Sequence, residues 1–137
     1  ETFGDIGIYD REKFYTLCEK ELLKDKDIFE DCWMKNNTAF TLPEIETMVG
    51  VRAVTLNSIT DDKTVLKHIQ QKFNPEIITM EGASFFYCCL REKIPFFEIR
   101  AISKYTEIRK VDNWSFPIAL ENLTTSVLNI FEEFEVL

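Results

Sequence analysis

Apolar residues in this chain recur with two periods, and the places where one period gives way to the other carry most of its information. Residues 51–59 (VRAVTLNSI) are rich in β-branched and apolar side chains and predict a strand. Asp61 or Asp62 then stands where a helix cap is expected, ahead of Val65, Ile69 and Phe73 on one helical face, and Asn74-Pro75 stops that helix. Residues 77–80 predict a short buried strand. Residues 82–93 predict a helix, with Ala83, Phe86, Tyr87 and Leu90 at i, i+3, i+4, i+7. Pro95 leads into a third predicted strand over 96–102, followed by a polar loop over 103–115. Ser115 is expected to cap a last helix, with Pro117 in its first turn and Ala119, Leu123, Val127, Ile130 and Phe134 as its apolar stripe. Nearer the start, Asp10 is expected to cap a helix reaching about Leu23, with Phe14, Leu17, Cys18 and Leu22 on one face. Residues 24–50 mix charged, apolar and turn-forming stretches and read as an irregular excursion, over a site or at a subunit contact.

Strand and helix alternate from residue 51 onward. Crossover connections then make the strands parallel, with helices on both faces, so an α/β fold in one domain over 1–137 is expected. Three parallel strands are few for such a sheet. Strands apolar on both faces do not belong on an exposed edge, so further strands are expected from a preceding part of the protein or from a partner. The first residue is not Met, and the chain reads as the C-terminal part of a longer one.

Composition narrows the partners. Hydrophobic residues make up 45% of the 137 residues, which marks a globular chain and not a disordered one. The formal net charge of −8 argues against nucleic acid and anionic membranes, both of which reward a basic patch. No apolar run is long enough to span a bilayer, and the opening residues lack the basic-then-apolar pattern of a secretory signal, so a cytoplasmic protein is expected. Cys18, Cys32, Cys88 and Cys89 form no C-x-x-C pair, and His68 is the one histidine. That set lacks the spacing of a zinc site, and free thiols in a reducing compartment are expected. No metal or organic cofactor is expected.

All three predicted strands end in polar residues: Asn57-Ser58, Glu81, and Ser103-Lys104. Parallel strands bring such ends to one rim, where ligands bind in open α/β sheets. Glu81 also precedes a helix, whose dipole favours an ionised acid, and an ionised carboxylate there can accept hydrogen bonds from two neighbouring ribose hydroxyls. The alternative is an acid that merely stabilises the first helical turn. Arg100 is expected to pair with Glu98 or Glu81, and His68 to sit exposed on its helix. No Gly-rich phosphate loop is present among the 4 glycines.

Met80-Glu81-Gly82-Ala83, with Arg100-Ala101-Ile102-Ser103 at the next predicted strand, resembles the nucleosidase and purine nucleoside phosphorylase superfamily. The longer stretch from Met80 to Tyr87, together with 100–109 and Asn113-Trp114, is similar to the futalosine hydrolase family, and residues 1–7 match more weakly. The resemblance implies a three-layer α/β/α phosphorylase/hydrolase-like fold with an incomplete sheet, and a homo-oligomer. It implies hydrolysis of the N-glycosidic bond of a purine nucleoside, with futalosine giving hypoxanthine and dehypoxanthine futalosine in menaquinone biosynthesis. Glu81 would hold the ribose hydroxyls and Met80 would pack on the sugar. Ile59, Thr60 and Ser103 would line the substrate, with Ile59 and Thr60 near the base.

One departure bears on the leaving group. Where related nucleosidases carry Asp, or futalosine hydrolases Asn, this chain has Lys104. A lysine can donate a hydrogen bond to a purine nitrogen, and it can equally face solvent. In the superfamily the water-activating acid and a Gly-rich loop come from the N-terminal part, so these residues alone are expected to be inactive. A methylthioadenosine/S-adenosylhomocysteine nucleosidase or a purine nucleoside phosphorylase is the nearest alternative. A non-catalytic nucleoside-binding or assembly module is the alternative of another class.

Overall fold

The computed structural model describes all residues except 24, 40, 106–114 and 136–137. The chain divides into two compact units: Glu1–Thr38 with Val51–Phe97, and Ala39–Gly50 with Glu98–Leu137.

The first unit is built on a parallel sheet of three strands in the order β1-β6-β7: β1 (Thr2–Phe3), β6 (Ala53–Thr55) and β7 (Ile77–Thr79). In register, Thr2 lies beside Val54, and Thr55 beside Thr79. Helix α2 (Lys63–Phe73) joins β6 to β7, and α3 (Gly82–Arg91) follows β7. Alternation along a strand sends neighbours to opposite faces. Val54 accordingly packs with Leu56 and Ile69 of α2, while Thr55 hydrogen-bonds the amide of Ala83 in α3. Ala83 belongs to a second core with Ile28 and Met34, against which Phe3, Phe86 and Leu90 pack. The class is mixed α/β with a small parallel sheet, as the alternation predicts.

Its third strand is not the predicted one. Residues 96–102 form no strand, and β1 supplies the parallel neighbour of β6 instead. Tertiary context overrides the β-propensity of such a run. The Phe96 backbone is bound by side chains: Asn36 Nδ2 donates to its carbonyl, and Thr38 Oγ1 accepts from its N–H. The Phe96 ring is buried edge-on against Phe85 and Phe86.

The helix expected from Asp10 to Leu23 is also absent. A hairpin of β2 (Gly7–Asp10) and β3 (Lys13–Thr16) occupies its start, turned by Arg11 and Glu12 at φ 48° and 70°. Two successive left-handed residues match a two-residue hairpin turn, in the absence of the Asn-Gly signal that usually announces it. A Cβ on Gly7 would come within 2.0 Å of the Tyr15 carbonyl oxygen, so close strand approach requires glycine there. Across the strands, Tyr9 and Phe14 rings sit 5.3 Å apart. Within 24–50, β4 (Phe29–Glu30) and β5 (Trp33–Met34) form a second hairpin, turned by Asp31 and Cys32 at φ 49° and 64°. Cys18 and Cys32 are joined in a disulfide, which corrects the expectation of free thiols at those two positions. Cys88 and Cys89 are free, the first exposed and the second half-buried.

The second unit contains α1 (Pro43–Glu46) and α4 (Phe116–Glu135). Glu133 of α4 accepts the Glu44 amide through both carboxylate oxygens, at 3.0 and 3.2 Å. Leu42, Ala119 and Ile130 are buried, whereas Phe134, expected on the apolar stripe, is exposed. Among the described residues no helix is long and apolar enough to cross a membrane.

Candidate functional site

The carboxyl ends of β1, β6 and β7 form one rim because the three strands run parallel. Asp5 follows β1, Asn57 follows β6, and Met80-Glu81 follows β7. Asp5 clamps Asn57 from two sides, accepting its backbone N–H at 2.6 Å and its side-chain amide at 2.8 Å. The Leu56 amide donates to the Thr79 carbonyl at 3.0 Å, so β6 and β7 remain paired up to the rim.

Glu81 is exposed at this rim, and Met80 before it is 44% exposed. Glu81 occupies the N-cap position of α3, yet its side chain makes no capping hydrogen bond to that helix. Its carbonyl accepts the Phe85 amide at 3.1 Å, as the first helical bond requires.

The other strand-to-helix turn behaves differently. Asp62 caps α2, accepting from Thr64 N at 2.7 Å and Val65 N at 3.3 Å. The Thr64 and Val65 amides hold its carboxyl below the usual range. Thr60 Oγ1 accepts the Asp62 amide, so Thr60 belongs to the approach to that cap, and Ile59 beside it is exposed. Met80 and Glu81 thus follow β7 directly, whereas Ile59 and Thr60 lie in the connection between β6 and α2. Ser103 and Lys104 belong to the other unit, where both are half-buried and Ser103 accepts the Ser115 amide through its carbonyl. Asn113 and Trp114, and residues 106–109 of the family resemblance, lie outside the described residues.

Arg100 hydrogen-bonds Glu98 through its Nε, as one of its two expected pairings has it. His68 is exposed on α2. Four residues near the rim carry no signal in the periodicity: Glu1, Thr55, Thr79 and Asp5. Their polar character beside apolar strand positions was the available clue, since buried polar groups require partners. Among the described residues no group of three or more His, Cys, Asp and Glu is arranged to hold a metal ion.

No family model, curated protein or solved structure matches this chain.

Proposed function

We propose that the chain is part of a nucleosidase that hydrolyses the N-glycosidic bond of a purine nucleoside, with futalosine as the nucleoside. The observation that carries the reading is the placement of Glu81. It stands exposed at the carboxyl end of a parallel strand, ahead of a helix whose cap it does not supply. The family resemblance of 80–87 and 100–109 supports it from the sequence side.

The chemistry follows from charge. Loss of the purine leaves an oxocarbenium-like sugar, and a carboxylate beside the ribose stabilises the positive charge that develops. Glu81 would accept the two ribose hydroxyls while Met80 packs on the sugar. Ile59 and Thr60 would approach the base from the neighbouring strand end. A proton donor to the departing nitrogen would contribute about 10²–10⁴-fold. A three-layer α/β/α phosphorylase-like sheet and a homo-oligomeric assembly belong to the same proposal.

The test is hypoxanthine release from futalosine, with methylthioadenosine as competing nucleoside, by the full-length protein that carries this chain. Wild type is expected to prefer futalosine, and Glu81→Gln to lose about 10²-fold or more in kcat/KM. Equal turnover by wild type and Glu81→Gln overturns the reading.

A further inference from the structure

Glutamate is rarely buried without partners, and Glu1 is 9% exposed. Its backbone exchanges two hydrogen bonds with Met34: Glu1 N donates to Met34 O at 3.0 Å, and Met34 N to Glu1 O at 2.8 Å. Its carboxyl lies across the sheet face. Thr55 Oγ1 and Thr79 Oγ1 each meet one of its oxygens at 3.2 Å, and the two hydroxyls meet each other at 2.8 Å. Thr55 Oγ1 also accepts the Ala83 amide at 2.7 Å. One of the orphan donors at the start of α3 is therefore satisfied by a neighbouring strand and not by the helix's own N-cap residue.

Gly82 completes the arrangement. A Cβ at that position would stand 2.0 Å from Glu1 Oε1 and 2.7 Å from its carboxyl carbon. Only the absence of a side chain lets the Glu1 carboxyl close against the first turn of α3. A continuous set of contacts thus runs from residue 1, through two strands, to the residues directly following Glu81.

The geometry points to Glu1 as a positioning residue: with Thr55 and Thr79 it holds the Met80-Glu81-Gly82 turn, taking over the support that a capping Glu81 would otherwise give. That turn carries Met80 and Glu81, the two residues to which the reading above gives the sugar. Naming that ligand as a ribose diol rests on the nucleosidase reading above; the support of the turn does not. Misplacing a binding group by about 1 Å costs on the order of 10²-fold, so a residue that never touches substrate can still govern turnover.

The test compares Glu1→Ala, Glu1→Gln and Thr79→Val in the full-length protein by two readouts. The first is hydrogen exchange at the Ala83 amide. It should quicken by about tenfold in Glu1→Ala, the loss of roughly one hydrogen bond. It should stay near wild type in Glu1→Gln, whose amide accepts through Oε1 and donates through Nε2 to the same hydroxyls. The second is kcat/KM for hypoxanthine release, expected to fall by about 10–100-fold in Glu1→Ala with most of the loss in KM, and to recover in Glu1→Gln. Thr79→Val keeps the side-chain shape and reports the same trend should Glu1→Ala not fold. Unchanged Ala83 exchange in the alanine and valine variants overturns the inference. So does faster exchange with unchanged kcat/KM, or a glutamine variant as impaired as alanine. A wild-type protein that releases no hypoxanthine while the exchange pattern holds defeats the nucleosidase reading and leaves the positioning role standing.

Discussion

Two strand-to-helix turns leave the same rim of the sheet, and they start their helices in opposite ways. After β6 the chain reaches Asp62, which caps α2 with its own carboxylate. After β7 it reaches Glu81, which does not cap α3; the Ala83 amide is met by Thr55, and Glu1 packs against Gly82. A locally capped helix uses up its acid in holding itself together. The start of α3 draws its support from a neighbouring strand instead. Two acids that look alike in the sequence thus differ in whether they cap the helix that follows.

The largest effect is expected at the two acids themselves. Glu81→Gln should cost about 10²-fold or more in turnover while leaving the thermal melt close to wild type. The reverse pattern, an intact rate with a lowered melt, would make Glu81 a second Asp62. The Cys18–Cys32 disulfide comes next. It closes a loop with a sequence separation of 14 and ties the turn of the β4–β5 hairpin, whose Cys32 carbonyl accepts from Thr2 of β1. Replacing both cysteines by serine should lower the unfolding free energy by about 3 kcal/mol in urea titrations, from released chain entropy. A midpoint that does not move would show that the hairpin contributes no constraint on β1.

Gly82→Ala acts on the tertiary cap directly. A methyl group there meets the Glu1 carboxyl, the far end of a flexible side chain, which must turn away from Thr55 and Thr79. Amide exchange at Ala83 should quicken; unchanged exchange would mean that the carboxyl does not support that turn. The smallest effect concerns Asp62. Its folded-state carboxyl titrates below the ordinary aspartate value, so the cap contributes fully above that value and is lost as pH falls through the lowered one. Amide protection at Thr64 and Val65 should therefore weaken from about pH 4 downward, and Asp62→Ala should remove that pH dependence. Protection that is flat with pH would show that α2 does not rest on its local cap.

What was legible in the chain follows the same division. Helix α2 announced itself through Asp62, the Val65, Ile69 and Phe73 spacing, and Asn74, whose left-handed C-cap at φ 44° stops it as expected. Strand β7 and helix α3 fall within the expected 77–80 and 82–93. The predicted helix over 10–23 failed because the chain turns back at its expected start and Lys13–Thr16 pairs with Gly7–Asp10. The turn at Arg11 and Glu12 has no sequence signature, and Tyr9 and Phe14 settle the matter only by meeting across the strands. The predicted strand over 96–102 did not form although, among the described residues, β7 pairs with β6 alone: Asn36 and Thr38 bind the Phe96 backbone instead. The Glu81 position was legible as the end of an apolar run. That it would not cap its helix was not, because the answer depends on residues 1, 55 and 79.

By itself the sequence determined whatever depends on near neighbours along the chain: helical spacing, a cap two residues from the amide it serves, and a short apolar run too buried to be a loop. Tertiary structure alone decided which segment became the third strand, which cysteines met, and which helix start is supported from a neighbouring strand. The physical reason is that hydrogen bonds and close packing are satisfied by whichever group arrives, whether it stands two residues away or seventy-eight, as Glu1 does from Thr79. Sequence pattern sees the first kind of partner and is blind to the second.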